Sequence, residues 1–193
     1  MKKIAICGNI ASGKSTVSKY IENKGFKVLD TDKVSHELLT VNNKKLYDAF
    51  KDFDVFECNE FSRKKVANLI FKDNSKKTEL EKILHPQIAS KIKNFLKKNS
   101  EEKSTFVEIP LLFEAKMENL FDKIIFVYAD DKTRLERLIK RNGYTVEEAK
   151  TRINSQIPQD EKVKKSDYVI YNNSSVKSLE EETEKILSLI SFA

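Results

Sequence analysis

The sequence predicts an α/β fold: a parallel β-sheet flanked by helices, with a helical insertion. Three observations lead there. Short apolar runs that read as buried strands alternate with stretches of helical periodicity. Strands separated by helices imply right-handed crossovers, and so a parallel sheet covered on both faces. The longest helical stretch, from Thr31 to about Asn99, falls between the second and third strands and forms an excursion off the sheet.

Each element has a local justification. Lys3–Cys7 is a short apolar run ending at a glycine loop, as a buried strand would. Lys14–Lys24 carries Val17, Tyr20 and Ile21 at helical spacing and is closed by Gly25. Phe26–Asp30 reads as the second strand. The excursion is mostly helical, with an irregular piece at Asp54–Glu60, and His85-Pro86 inside it marks a kink or a new helix start. Ser104–Ile109 reads as a strand stopped by Pro110, and Lys123–Ala129 is the clearest buried strand. Helices are predicted over Lys132–Arg141 and Val146–Gln156, the second announced by the capping pair Thr145…Glu148. Tyr168–Tyr171 is the last strand. The final helix is expected from Ser178, with Ser178…Glu181 as its capping pair and Leu179, Ile186 and Ile190 on its apolar face.

Composition narrows the function classes. The 193 residues contain 34% charged residues and a net charge of +6, and the excess is spread along the chain rather than gathered into a nucleic-acid-binding arm. The apolar runs Ile109–Phe113 and Ile124–Ala129 are far short of the roughly 18 residues of a membrane span. Lys2 and Lys3 are followed by too few apolar residues for a secretory signal. Two cysteines, Cys7 and Cys58, form neither a disulfide framework nor a metal-binding spacing. A soluble, cytoplasmic protein with no nucleic-acid or membrane partner is expected. With four Gly and three Pro, no seam divides the chain.

Gly8-Asn9-Ile10-Ala11-Ser12-Gly13-Lys14-Ser15 fits G-x-x-x-x-G-K-S, followed by Thr16. It follows a strand and opens an amphipathic helix, the context a phosphate-cradling P-loop requires. The glycines permit the backbone angles that turn successive N–H groups toward an anion, and the helix N-terminus adds its dipole. Lys14 is expected at the β- and γ-phosphates of ATP and Ser15 at Mg²⁺. The fold is thus a P-loop NTPase-type α/β domain. The guanine-reading Asn-Lys-x-Asp pattern and the Asp-x-x-Gly switch are both missing from the sequence. At this length the natural class is a small-molecule kinase.

A kinase needs a group to deprotonate the acceptor hydroxyl. Asp30 and Asp32 end the second strand, and their i, i+2 spacing puts both on one face if the strand continues; a solvated turn or helix start is the alternative. Of five arginines, Arg134, Arg137, Arg141 and Arg152 fall between positions 134 and 152, in a chain that otherwise uses Lys. Arg134, Arg137 and Arg141 share one helical stripe. This fits either a solvated face paired with Glu136 and Asp131 or, preferred beside a P-loop, a lid closing on a triphosphate, led by Arg141 and Arg137. Glu108 reads either as a water-mediated Mg²⁺ contact or as an edge residue. The Asn172-Asn173-Ser174-Ser175 stretch contains glycosylation patterns without meaning in the cytoplasm.

Together these residues resemble the dephospho-CoA kinase family over essentially the whole chain. The resemblance is carried by Val28-Leu29-Asp30-Thr31-Asp32 with His36-Glu37-Leu38, by Phe61-Ser62-Arg63, by Leu84-His85-Pro86-Gln87-Ile88, and by Ile109-Pro110-Leu111-Leu112-Phe113-Glu114. Arg141-Asn142, Gln156 and Asp167–Asn173 complete the series. The resemblance implies phosphorylation of the ribose 3′-hydroxyl of dephospho-CoA by ATP with Mg²⁺. It implies Asp32 as the base at that hydroxyl, Arg141 on the transferring phosphoryl group, and Arg63, His85 and Pro86 in an acceptor-binding helical region. Asn172 and Asn173 are implied near the ATP base. The expected layout is one domain, with a core at about 1–32, 103–131 and 166–193, an acceptor-binding region at about 33–102 and a lid at about 132–165. Asn9 and Ala11 stand where the family usually has glycine. Two other readings are carried: a kinase for nucleoside monophosphates, and a nucleotide-dependent regulator or nucleic-acid binder, against which the scattered lysines count.

Overall fold

The structure, a computed structural model, describes residues 1–192; Ala193, the end of the expected core, lies outside the described residues. Along the chain run β1 (Lys2–Cys7), α1 (Lys14–Asn23), β2 (Lys27–Asp30), α2 (Thr31–Leu38), α3 (Lys44–Phe50), β3 (Phe56–Glu57), β4 (Glu60–Phe61), α4 (Arg63–Lys72) and α5 (Asn74–Lys98). Then follow β5 (Ser104–Glu108), β6 (Lys123–Tyr128), α6 (Asp131–Asn142), α7 (Val146–Asn154), α8 (Gln159–Val163), β7 (Tyr168–Tyr171) and α9 (Val176–Phe192). The composition offered no seam, yet the described chain forms two compact units, residues 1–30 with 96–192, and Thr31–Phe95.

The first unit holds a five-stranded sheet in the order β2-β5-β1-β6-β7, every pairing parallel. From β1 the chain passes β5 to reach β2; from β5 it passes β1 to reach β6. The adjacent strands β5 and β1 therefore send their connections opposite ways, and the carboxyl ends of such a pair open a crevice where ligands of α/β sheets bind. Ile4 and Ile6 of β1 point to one face, where Val17 and Ile21 of α1 and Leu179, Leu187 and Ile190 of α9 close the core. A smaller cluster joins Leu138 of α6 to Ala149 and Ile153 of α7, with Ile10 and Ala11 of the glycine loop packed against it.

Local chemistry explains both the agreements and the differences. The predicted capping box is present at α7: the Thr145 hydroxyl accepts from the Glu148 N–H, and the Glu148 carboxylate accepts from the Thr145 N–H. For α9 the sequence reading placed the start late. The helix begins at Val176, and the Ser175 hydroxyl accepts from the Ser178 N–H at 3.2 Å, so Ser175 is the cap and Ser178 sits one turn inside. Helix α8 was not predicted. It is five residues long and has no apolar period, and it is held by charge: Lys162, 1% exposed, pairs with Glu114 at 2.6 Å.

In the second unit the piece read as irregular is a two-stranded hairpin, β3 paired antiparallel with β4. Cys58 and Asn59 turn it with φ of 48° and 63°, the left-handed pair that two-residue hairpins need. The unit's core gathers Leu46, Phe50, Val55, Phe61, Val66, Leu80 and Leu84. Pro86 neither ends nor restarts α5, which runs through it. Of the two readings left open for Asp32, the helix start is the one found. β2 stops at Asp30 and α2 starts at Thr31, so Asp32 lies in a first helical turn and the i, i+2 argument does not apply.

Two outcomes are expected. Ser175→Ala lowers unfolding stability by about 1 kcal/mol, whereas Ser178→Ala leaves it within about 0.5 kcal/mol; urea denaturation distinguishes them. Cys7 is buried at the end of β1, and burial pushes its thiol up to about 12. A thiol reagent at pH 8 therefore modifies the exposed Cys58 in the native protein and reaches Cys7 only after unfolding.

Candidate active site

The site is built from the turn between β1 and α1. Two glycines in it have no room for a side chain. A Cβ on Gly8 would sit 2.5 Å from the Val127 carbonyl oxygen, and one on Gly13, where φ is 97°, would collide with the Asn172 amide nitrogen. Ala11 takes a left-handed conformation, φ 61°, despite its Cβ. No side chain caps α1 at Gly13, which leaves the helix N-terminus to face whatever the loop encloses. The Lys14 ammonium lies 3.3 Å from the Asn9 carbonyl, and the Ser15 hydroxyl donates to the Glu108 carboxylate at 2.9 Å. Glu108 is not an edge residue: β5 lies between β1 and β2, and Glu108 is 4% exposed.

A cavity of about 310 Å³ opens on this turn, lined by Gly13, Lys14, Ser15, Thr16, Arg137 and Arg141, with Ala11, Asn172 and Ser174 among its other walls. Helix α6 delivers the arginines. Its N-cap Asp130 accepts the Thr133 N–H at 2.7 Å, a bond that holds the Asp130 carboxyl below the usual range. The expected stripe divides. Arg134 is 3% exposed and bonds Asp131 at 2.6 Å; its Nε and Nη1 are also buried without a hydrogen-bond partner, but it lines a different cavity, away from the start of α1. Arg137 donates from Nη2 to Asn172 Oδ1 at 3.2 Å, while its Nη1 is buried with no hydrogen-bond partner, about 4.0 Å from where a Gly13 Cβ would stand. A buried guanidinium nitrogen without an acceptor suits an incoming anion. Arg141 is exposed at the cavity wall, its Nε donating to Asn142 Oδ1.

Asn172 has a mechanical place here. At the end of β7 it is 6% exposed, it donates from Nδ2 to the Ser12 carbonyl at 2.8 Å, and it accepts from Arg137. It props the loop from beneath. Of the other loop residues, Gly8, Asn9, Ile10 and Ser12 shape the turn without lining the cavity. The remaining candidates lie in the second unit on three helices: Asp32 in the first turn of α2, Arg63 at the start of α4, and His85 and Pro86 within α5. Asp32, Arg63 and Pro86 are exposed, and His85 is half-buried.

Sequence reasoning missed three wall residues, Ser174, Val176 and Leu179. The available signal was position: they follow the carboxyl end of a parallel strand, where α/β sheets place their ligands. The glycosylation pattern drew attention to the same stretch for an irrelevant reason. Among the described residues no cluster of three or more His, Cys, Asp or Glu forms a metal cage. Ser15 with the buried Glu108 is the oxygen pair that fits Mg²⁺, which keeps most of its waters and takes few protein ligands beside nucleotide phosphates.

Comparison with known proteins points to one family. The family model for dephospho-CoA kinase matches residues 2–178. A dephospho-CoA kinase from Carboxydothermus hydrogenoformans is 37% identical over 189 residues, 95% of this chain and 92% of the relative. The solved dephospho-CoA kinase of Campylobacter jejuni superposes with a TM-score of 0.75 at 33% identity, covering 98% of this chain and 96% of that one. A shikimate kinase from Acinetobacter baumannii, with a TM-score of 0.59 and 17% identity over 99% of this chain and 93% of that one, shares the fold. From its glycine loop to the last strand of its sheet, this chain belongs to the dephospho-CoA kinase family.

Proposed function

We propose that the chain transfers the γ-phosphoryl group of ATP to the ribose 3′-hydroxyl of dephospho-CoA, giving CoA and ADP. The observation that carries the phosphate half of this reading is the Arg137 Nη1, buried and without an acceptor beside Gly13. Family membership carries the acceptor half.

Phosphoryl transfer asks a protein mainly to position groups and to offset charge on the equatorial oxygens. The backbone from Gly8 to Gly13 and the uncapped start of α1 would hold the phosphates. Lys14 and Arg137 place fixed charge against them, and Arg141, exposed on α6, is the arginine free to approach as charge develops. Bound Mg²⁺ supplies charge neutralisation between phosphates, and Ser15 with Glu108 is the pair that would hold it. Asp32 accepts the proton of the acceptor hydroxyl, with Arg63, His85 and Pro86 in the acceptor region. Asn172 serves the nucleotide by holding the loop and Arg137 in place.

The reading keeps the protein in the cytoplasm with small-molecule partners and no nucleic acid. The scattered +6 charge supports the last of these, and no helix of the described residues is long and apolar enough to cross a membrane.

The direct test is coupled ADP release with Mg²⁺–ATP, comparing dephospho-CoA, AMP, adenosine and no acceptor. Turnover is expected with dephospho-CoA alone. Equal turnover with AMP would move the assignment to a nucleoside monophosphate kinase, and no release with any acceptor would favour a nucleotide-dependent regulator. Asp32→Asn is expected to lower kcat by a factor on the order of 10²–10⁴ while ATP affinity stays nearly constant; unchanged turnover would remove Asp32 from the mechanism.

A further inference from the structure

Two hydrogen bonds tie the glycine loop to the chain just beyond α7. Asn9, 1% exposed, donates from Nδ2 to the Ile157 carbonyl at 3.0 Å, and the Ile10 N–H donates to Gln156 Oε1 at 2.7 Å. The Asn9 carbonyl in turn accepts from the Ser12 N–H at 3.2 Å and from the Lys14 ammonium at 3.3 Å. One residue thus touches the functional lysine through its backbone and the exit of the α6–α7 hairpin through its side chain.

The surroundings make these bonds consequential. On one side the Ile10 side chain packs with Leu138, Ala149 and Ile153, which holds the hairpin near the loop. On the other side a cavity of about 520 Å³ is lined by Asn9, Asn154, Gln156, Pro158 and Gln159 among others. Beside that cavity, two directional bonds tie this segment to the loop. The Ile10 N–H, which a phosphate loop would otherwise turn inward, is committed to Gln156.

We propose that Gln156 is a positioning residue for phosphoryl transfer. Acting through the Ile10 amide, and seconded by the Asn9–Ile157 bond, it sets the geometry of the loop that carries Lys14. The same contact links that geometry to the position of the α6–α7 hairpin, which bears Arg137 and Arg141. The inference rests on the kinase reading above and adds a residue whose effect is on ATP and not on the acceptor.

The test compares wild type, Gln156→Met, Asn9→Gly and the double variant. The measurements are steady-state kinetics in Mg²⁺–ATP and dephospho-CoA, ADP affinity by calorimetry, and thermal unfolding. Gln156→Met preserves length and removes the acceptor of a part-buried N–H. It is expected to lose about tenfold in kcat/KM for ATP and in ADP affinity, the scale of one hydrogen bond. KM for dephospho-CoA is expected to stay within about twofold, a split that a purely structural residue would not produce. Asn9→Gly loses roughly threefold in the same direction, and the double variant loses less than the product of the singles, as for groups acting on one segment. Unchanged ADP affinity and ATP kinetics in Gln156→Met overturn the proposal, as do equal losses toward both substrates. If Gln156→Met does not fold, Asn9→Gly decides: undiminished ADP affinity overturns the proposal. ADP binding involves no acceptor, so wild-type protein that binds ADP but does not phosphorylate dephospho-CoA defeats the functional reading and leaves this one to be judged on affinity.

Discussion

The site depends on a steric limit at two backbone positions. Gly8 lies against the Val127 carbonyl and Gly13 against the Asn172 amide, each too close to carry a side chain. Those contacts press the turn onto the ends of β6 and β7, and the rest of the arrangement follows from that pressure. Because the turn lies there, Asn172 reaches the Ser12 carbonyl and Arg137 reaches Asn172. The start of α1 is aimed into the cavity by the same packing that buries Val17 and Ile21 in the sheet core. A methyl group at Gly8 would displace the Val127 backbone, which cannot move aside as a flexible side chain can; at Gly13 it would displace the Asn172 side chain and be strained by the left-handed φ of 97°.

How much of this was legible in the sequence depended on the range of the interaction involved. The glycine loop, the alternation of strands and helices and the Thr145–Glu148 cap are local, and they were readable because each is fixed by residues within a few positions of one another. The start of α9 was misplaced for a related reason: Ser175 and Ser178 are both acceptable caps, and only the backbone decides between them. Helix α8 carries no periodic signal, since its stability comes from Lys162 meeting Glu114 across the fold, a long-range pairing that a local reading cannot see. Asp32 was open between a continued strand and a helix start, because its spacing from Asp30 fits the first; β2 ends two residues short of it, and the helix start is what the backbone takes.

The arginine stripe shows the same limit within one helix. Arg134, Arg137 and Arg141 are equivalent by spacing, yet they have three different environments: Arg134 packed against Asp131, Arg137 half-buried between the loop and Asn172, and Arg141 exposed. Helical periodicity states which residues share a face. It does not state how the distance from that face to the neighbouring element changes along the axis. Where α6 starts, at Asp130, its arginine is enclosed; where it ends, at Gly143, its arginine reaches solvent. The graded burial turns a uniform stripe into one buried residue that lies off this cavity and two that border it.

The pairing of β2 with β5 also shapes how the molecule assembles. Asp30 lies beside Glu108 in the sheet, although the whole second unit separates them in the chain. A contact of such sequence separation is costly to form early, because closing a long flexible loop forfeits chain entropy before the pairing returns anything. The second unit has its own core around Leu46, Phe50 and Leu84, and its collapse would replace much of that flexible loop with a compact body. Loop-closure entropy grows only logarithmically with length, so the saving is modest in free energy. In order of events it matters more: the strand bearing Glu108 is synthesised after the excursion, and Ser15 meets its carboxylate only when that strand enters the sheet. The oxygen pair is therefore completed only once β5 has followed the excursion, and the turn's own neighbours, Val127 and Asn172, come later still along the chain.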